Sequence, residues 1–309
     1  MEASSKPSER RRRYERYKAL RPLAWTPLKR QFLRYVAEFE VISLPQLTAL
    51  SELAPKQARR HARDLFDGGF VENVALPRAV LADAGESNDA RLLYGSAPNV
   101  YVLSKSGARV AYEEGWTKTL ATPRRYGPKS SLFLAHELAI REVRVWLERT
   151  AREREEWNLL QWEDGAEAYF DMKERDNPCI LRPDGWFVFQ LGDAKLIGIV
   201  EVDRGTERGD KRWKEKLLAY DNLYHSPCLK ATTGYDNARI LTFTPTERRR
   251  DALASLIARH AKPDMTPRFW FADMRALQEH GFMYEGWRQA GEEGLSALLP
   301  PSTMGSNTD

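Results

Sequence analysis

Apolar residues recur every three or four positions in the first part of the chain, the spacing of one helix face. The first stripe consists of Leu28, Phe32, Leu33, Val36 and Phe39. A second short helix is predicted over 44–50, with Ser43 as its N-cap, and a third over 55–67. Three short helices in succession suggest a helix-turn-helix.

Two apolar strands and a helix follow this helical set. The strands are predicted over 70–76 and 100–103, and the helix over 104–114. The polar residues 77–98 between the strands would form a long wing. This order of elements predicts a winged helix-turn-helix over residues 28–117.

The second half alternates helical and strand patterns. We predict helices over 131–153, 209–224 and 246–260, and strands over 159–162, 186–191, 196–203, 238–243 and 268–271. Gly192-Asp193 is a turn signal that makes the second and third strands a hairpin. The pattern predicts a mixed sheet flanked by helices, and an α/β (α+β) class for the whole chain.

These patterns give a domain organisation. We predict a basic N-terminal arm over 1–27, the winged helix over 28–117, a linker over 118–130, a second domain over 131–290 and a disordered tail over 291–309.

Composition restricts the class of protein. With 309 residues, of which 42% are hydrophobic, the chain can fill ordinary cores. No apolar run approaches the ~20 residues of a membrane helix, so we expect a cytoplasmic protein without a membrane partner. The two cysteines, Cys179 and Cys228, are isolated, which predicts neither a zinc site nor a disulfide framework.

Positive charge is concentrated in the N-terminal arm and on the third helix. The apolar face of that helix leaves Lys56, Arg59, Arg60 and Arg63 toward solvent. Basic side chains on such a helix can meet phosphates and guanine edges in a major groove, so double-stranded DNA is the predicted partner. A solvated charged face or a protein-docking wing is the alternative.

Three acids are predicted to meet at one end of the hairpin. Because strand side chains alternate, Glu201 and Asp203 share one side, and antiparallel pairing brings Asp184 close to Glu201. Such a cluster of oxygen ligands suits Mg²⁺ or Mn²⁺, which makes these acids candidate metal ligands and catalytic residues. The alternative is that they are solvated loop residues.

Lys216 lies on or beside the apolar stripe of the helix that follows the hairpin. Its ammonium could point at the carboxylates, where it would orient a water or stabilise charge on a phosphate. It could equally snorkel to water.

The motif Pro183-Asp184 followed by Glu201 resembles the PD-(D/E)XK nuclease-like superfamily, whose core has this order of elements. Asp203 stands where that pattern has its lysine, and Lys216 is the nearest inward lysine. The resemblance implies a restriction-endonuclease-like second domain.

More narrowly, the chain resembles the replication-relaxation family of plasmids and mobile elements. The string Glu201-Val202-Asp203-Arg204-Gly205-Thr206-Glu207 and the segments Leu134-Ala135-His136 and Arg182-Pro183-Asp184 carry this resemblance. It implies a role in plasmid replication, DNA relaxation or transfer.

Three functions remain open from the sequence. The first is a magnesium-dependent nuclease that nicks or cuts DNA. The second is a non-enzymatic replication accessory factor or repressor, whose nuclease-like domain is a structural module or forms a homodimer. The third, ranked low, is a tyrosine relaxase that uses Tyr220 or Tyr224.

Overall fold

The computed structural model describes residues 13–16, 22–77, 97–120, 131–174, 177–205 and 210–299. These residues divide into two units, one formed by the described residues up to 141 and the other by those from 142 onward. The division falls inside a helix rather than in the predicted linker, most of which lies outside the described residues. Each unit is considered by itself below.

The first unit has a helical layer and a small sheet. Its elements are α1 (Pro27–Phe39), β1 (Val41–Ser43), α2 (Leu44–Ser51), α3 (Pro55–Asp67), β2 (Val71–Val74), β3 (Val100–Leu103), α4 (Lys105–Glu113) and the first part of α5 (Ser131–Thr150). The strands form an antiparallel sheet in the order β1-β3-β2. The order of helices and of strands β2 and β3 agrees with the prediction, whereas β1 was too short to predict.

Local signals explain the helix boundaries. The Ser43 hydroxyl accepts from the backbone N–H of Gln46, whose side chain accepts in turn from the N–H of Ser43, so a capping box starts α2. Pro55 occupies the first turn of α3, where a missing N–H costs nothing. Ala58 and Leu65 are buried on the inner face of α3. Most of the predicted wing, residues 78–96, lies outside the described residues.

The first part of α5 is fastened to the first unit by two buried polar contacts. The Gln46 side-chain amide donates to the Leu138 carbonyl (2.8 Å), and the Arg141 guanidinium donates to the Phe39 carbonyl (2.7 Å). Phe39 ends α1, so Arg141 satisfies a carbonyl that has no partner within its own helix.

The second unit is an α+β layer structure. After α5 it contains β4 (Trp157–Asp164), a 3₁₀ turn (Gly165–Ala168), β5 (Phe170–Glu174), β6 (Asn177–Leu181), β7 (Gly185–Leu191), β8 (Ala194–Val202), α6 (Lys211–Tyr224), α7 (Cys228–Thr233), β9 (Arg239–Thr244), α8 (Glu247–His260), a 3₁₀ turn (Thr266–Arg268), β10 (Phe269–Asp273), α9 (Met274–His280) and β11 (Arg288–Gln289). The mixed sheet has the order β11-β10-β9-β8-β7-β4, which confirms the predicted α+β class.

The centre of this sheet positions the candidate site. Strand β8 pairs antiparallel with β7 and parallel with β9, so β8 and β9 present their carboxyl ends at the same edge. Ile199 and Ile240 point into a core shared with Leu217 and Tyr220 of α6. Packing of α6 on this face directs its side chains toward the end of β8.

Two regions of the second unit differ from the sequence expectation. A separate two-stranded ribbon, β5 with β6, precedes the hairpin. The tail predicted to be disordered from residue 291 folds back as far as residue 299, since Ser296 bridges Trp287 and Leu298 is buried. Residues 300–309 lie outside the described residues.

None of the helices in the described residues is both long enough and apolar enough to cross a bilayer.

Candidate functional site at the end of strand β8

Asp184 lies directly beside the last residues of β8. Its backbone N–H donates to the Val200 carbonyl (3.0 Å), and its Oδ2 accepts from the backbone N–H of Val202 (2.6 Å). These two bonds bracket Glu201, so Asp184 and Glu201 are neighbours across the strand, as the hairpin geometry predicts. Asp184 is half-buried and Glu201 is 1% exposed.

Both carboxylate oxygens of Glu201 accept hydrogen bonds from α6. The Lys216 ammonium contacts Oε2, and the Tyr220 hydroxyl donates to Oε1 (2.7 Å). Lys216 and Tyr220 are four residues apart, so one face of α6 presents both groups. The structure therefore places Lys216 against an acid instead of in solvent.

The surroundings of Glu201 shift its carboxyl group toward the protonated form. Burial raises the pKa of Glu201 above its ordinary value, the Lys216 ammonium opposes this rise, and the negative charge of Asp184 adds to it. Burial and the Glu201 charge also raise the pKa of Tyr220 well above its ordinary value, which keeps its phenol a hydrogen-bond donor.

Asp203 has a different set of partners. The Arg249 guanidinium donates to both of its oxygens, to Oδ2 at 2.8 Å and Oδ1 at 3.2 Å. The backbone N–H of Gly205 and the Trp213 indole N–H complete the set, at 2.6 Å and 3.2 Å. Asp203 is thus held by a bidentate ion pair to α8.

Trp213 connects the two acid groups. Its indole N–H donates to Asp203, and the Lys216 ammonium lies 5.2 Å from its ring centroid. The ring is 5% exposed and packs against Phe271. One aromatic side chain therefore contacts both Lys216 of the Glu201 pair and Asp203 of the other pair.

The donor set fits a divalent cation only in part. Magnesium is commonly held by one or two carboxylates, with water and substrate phosphate completing its coordination. Asp184 and Glu201 supply the carboxylates for such an arrangement, although Glu201 would have to exchange its bond to Lys216 or Tyr220 for the ion. Both oxygens of Asp203 accept from Arg249. In the described part of the chain, no group of three or more His, Cys, Asp or Glu side chains is placed to hold a metal.

The basic residues of α3 fall into two groups. Lys56, Arg59 and Arg60 are exposed, and within the described ranges they form no ion pair. Arg63 instead binds Asp67 (2.8 Å) and donates to the carbonyl of Glu15 (2.8 Å). Arg63 therefore anchors residues 13–16 of the N-terminal arm to the first unit.

The tyrosines considered as nucleophiles are enclosed. Tyr220 is fully buried, with its hydroxyl bound to Glu201. Burial also raises the pKa of Tyr224, and its hydroxyl donates to the Ala238 carbonyl. Neither phenol is presented to a substrate in this arrangement.

Two residues of the site were missed by reasoning from the sequence. Arg249 belongs to the basic run Arg248-Arg249-Arg250 at the start of a helix that follows β9, whose carboxyl end adjoins that of β8. That adjacency was a usable signal. Trp213 lies on the apolar stripe of the helix that carries Lys216, and nothing in the stripe indicates that its N–H reaches Asp203.

The fold and the site define a two-unit α+β protein with two carboxylates and a lysine at the carboxyl end of a central strand. The sequence model for replication-relaxation proteins matches residues 33–237, about two thirds of the chain. The chain belongs to the replication-relaxation family, which supports a role in the replication or relaxation of plasmids or mobile elements. Comparison with curated proteins and with solved structures gave no significant match.

Proposed function

We propose that the protein binds double-stranded DNA through its first unit and cleaves a DNA strand at the Asp184–Glu201–Lys216 site of its second unit. The observation that carries the proposal is the contact of the Lys216 ammonium with Glu201, beside Asp184. Two acids that can bind a metal ion, and a cation that can stabilise charge on a phosphate, match the groups that metal-assisted phosphodiester hydrolysis uses.

Each residue has a distinct role in this proposal. Asp184 and Glu201 would hold a magnesium or manganese ion, whose chemistry there is to acidify a water and to offset charge on the phosphate. Lys216 stabilises negative charge that develops on the scissile phosphate. Tyr220 orients Glu201 through its hydrogen bond.

DNA binding is assigned to the exposed side chains of α3. Lys56, Arg59 and Arg60 lie on one exposed helix surface. A helix of this kind fits a major groove and gains affinity from phosphates, with a strong dependence on salt. Arg63 supports this surface indirectly, because its guanidinium is taken up by Asp67 and the N-terminal arm.

Incubation of supercoiled plasmid with the protein and magnesium tests the catalytic part. We expect nicked or linear product, no product in EDTA, and no product from Asp184→Ala or Glu201→Ala. Asp193→Ala is a matched control, since Asp193 is an exposed acid at the opposite end of the same hairpin. Equal amounts of product from the site variants and the wild type would show that cleavage does not take place at this site.

A second candidate function is a DNA-binding replication factor without nuclease activity. The Asp203–Arg249 ion pair favours it, because an acid engaged by arginine occupies the position where the nuclease pattern has its lysine. Site-selective and salt-dependent binding without cleavage under any divalent cation would support this candidate over the first.

A further inference from the structure

An exposed aromatic ring and an arginine lie next to Asp184. The Arg182 guanidinium carbon is 5.1 Å from the centroid of the Tyr169 ring, and Tyr169 is 39% exposed. Arg182 is exposed and is separated from Asp184 by Pro183 alone. Two residues of extended chain span at most about 7 Å, so the pair borders the proposed site.

The ribbon β5–β6 explains why these two side chains meet. Phe170 pairs with Leu181, so the next positions outward are Tyr169 and Arg182. Phe170 and Leu181 are buried on the inner face, which leaves the adjacent pair on the solvent face. Pro183 restricts the backbone of Arg182 to extended conformations, which favours continuation of the ribbon geometry up to Asp184.

Neither side chain is engaged elsewhere in the described residues. Within the described ranges Arg182 contacts the Tyr169 ring and has no acidic partner. The Tyr169 hydroxyl has no hydrogen bond in the same ranges. A second arginine–aromatic pair in this unit, Arg154 over Trp157, does have an acid nearby, Glu156.

We propose that Tyr169 and Arg182 form a subsite for an unpaired nucleotide of the DNA strand beside Asp184. The ring offers a flat surface for a base, and the guanidinium offers donors for the adjoining phosphate. Stacking on neighbouring base pairs covers both faces of each base in a duplex, so the ring requires a single-stranded or locally opened substrate. The identity of the ligand rests on the proposed function.

Binding of a short fluorescent oligothymidylate in EDTA tests the subsite without any cleavage. The protein should carry Arg59→Ala and Arg60→Ala so that α3 contributes little. Tyr169→Ala should weaken binding about tenfold, a typical loss for one stacked base. Tyr169→Phe should bind like the parent, and Tyr169→Leu, which keeps apolar bulk but no aromatic face, like Tyr169→Ala.

Arg154→Ala is the matched control, because it removes an arginine over an aromatic ring at the far end of β4. It should leave affinity unchanged, whereas Arg182→Ala should lower both affinity and its salt dependence. Equal affinity of Tyr169→Leu and Tyr169→Phe would overturn the proposal.

Photo-crosslinking of the wild-type protein to an oligonucleotide that contains 5-iododeoxyuridine covers the case in which a variant fails to fold. Label on the peptide with Tyr169 supports the subsite, and label confined to the first unit overturns it. If binding depends on the Tyr169 ring but the protein does not cleave plasmid, the nuclease proposal fails and the subsite proposal stands. If the protein cleaves plasmid but binding does not depend on this ring, the subsite proposal fails and the nuclease proposal stands.

Discussion

Glu201 and Asp203 are two residues apart at the end of β8, yet they have different partners. Glu201 is enclosed by Lys216 and Tyr220 of α6, and Asp203 by Arg249 of α8. A lysine offers a point charge on a flexible stem, whereas the arginine fork fixes a carboxylate through two parallel bonds. The geometry of the Asp203–Arg249 pair is therefore more constrained than that of the Glu201–Lys216 pair.

Under the proposed function, Glu201 acts in the chemistry and Asp203 holds the scaffold. Burial raises the pKa of Glu201, and Asp184 adds a like charge beside it. Asp203 instead joins β8 to α8 through Arg249 and to α6 through Trp213. Variants of Lys216 and Arg249 are the most direct test of these separate roles.

The largest effect is expected from Lys216→Ala on plasmid cleavage. Loss of a positioned charge donor should lower the rate roughly 100-fold, the usual cost of removing one such group. Single-turnover cleavage with magnesium measures it. Lys214→Ala, an exposed lysine on the same helix, is the control. A similar loss in both variants would contradict a specific role for Lys216.

Arg249→Ala should act on stability. It leaves the largely buried Asp203 without its ion pair, which we expect to lower the free energy of unfolding by about 2–3 kcal/mol. Urea unfolding followed by tryptophan fluorescence measures the change. The double variant Asp203→Asn with Arg249→Ala should recover part of the loss, and strict additivity of the two single effects would refute the coupling.

Glu201→Gln tests the raised pKa. A carboxyl group whose pKa is raised on folding adds stability that is fully present below its ordinary value of 4.5 and is lost as pH rises through the raised value. The stability of the wild type relative to Glu201→Gln should therefore fall as pH increases above 4.5. Urea titrations of both proteins across this range measure it, and a pH-independent difference would contradict the burial argument.

The smallest effects are expected on α3, where Arg59 is exposed and Arg63 is held in an ion pair. Arg59→Ala should weaken binding of duplex DNA and reduce the salt slope by about one. Arg63→Ala should mainly lower stability, because it frees Asp67 and the arm. Fluorescence anisotropy over a salt series separates the two, with Arg109→Ala on α4 as a surface control. A larger salt effect from Arg63→Ala than from Arg59→Ala would reverse the assignment.

Periodicity was sufficient for most of the fold. The predicted bounds of α3 and β3 agree with those observed, because Pro55 and the run Val100–Leu103 give strong local signals. Ribbon β5–β6 was not predicted, since neither strand shows an alternating pattern bounded by clear turns. The position of Leu298 depends on contacts distant in sequence, which a local pattern does not contain.

Reasoning from the sequence also predicted the side of the sheet on which the acids lie, but not the cation that pairs with each acid. Strand alternation correctly put Glu201 and Asp203 on the side of α6, where Lys216 and Trp213 reach them. It gave no information on whether Lys216 or Arg249 would pair with each acid. That choice depends on how α8 packs beside α6, which is a tertiary property.

The attachment of α5 has a practical consequence for dissecting the molecule. A fragment that ends in the predicted linker would leave the Phe39 carbonyl and the Gln46 amide, both buried, without the partners that Arg141 and Leu138 provide. Because removal of α5 exposes these groups to water, each lost bond costs about 0.5–1.5 kcal/mol. An autonomous DNA-binding fragment should therefore extend beyond Arg141, and limited proteolysis should spare the first turns of α5.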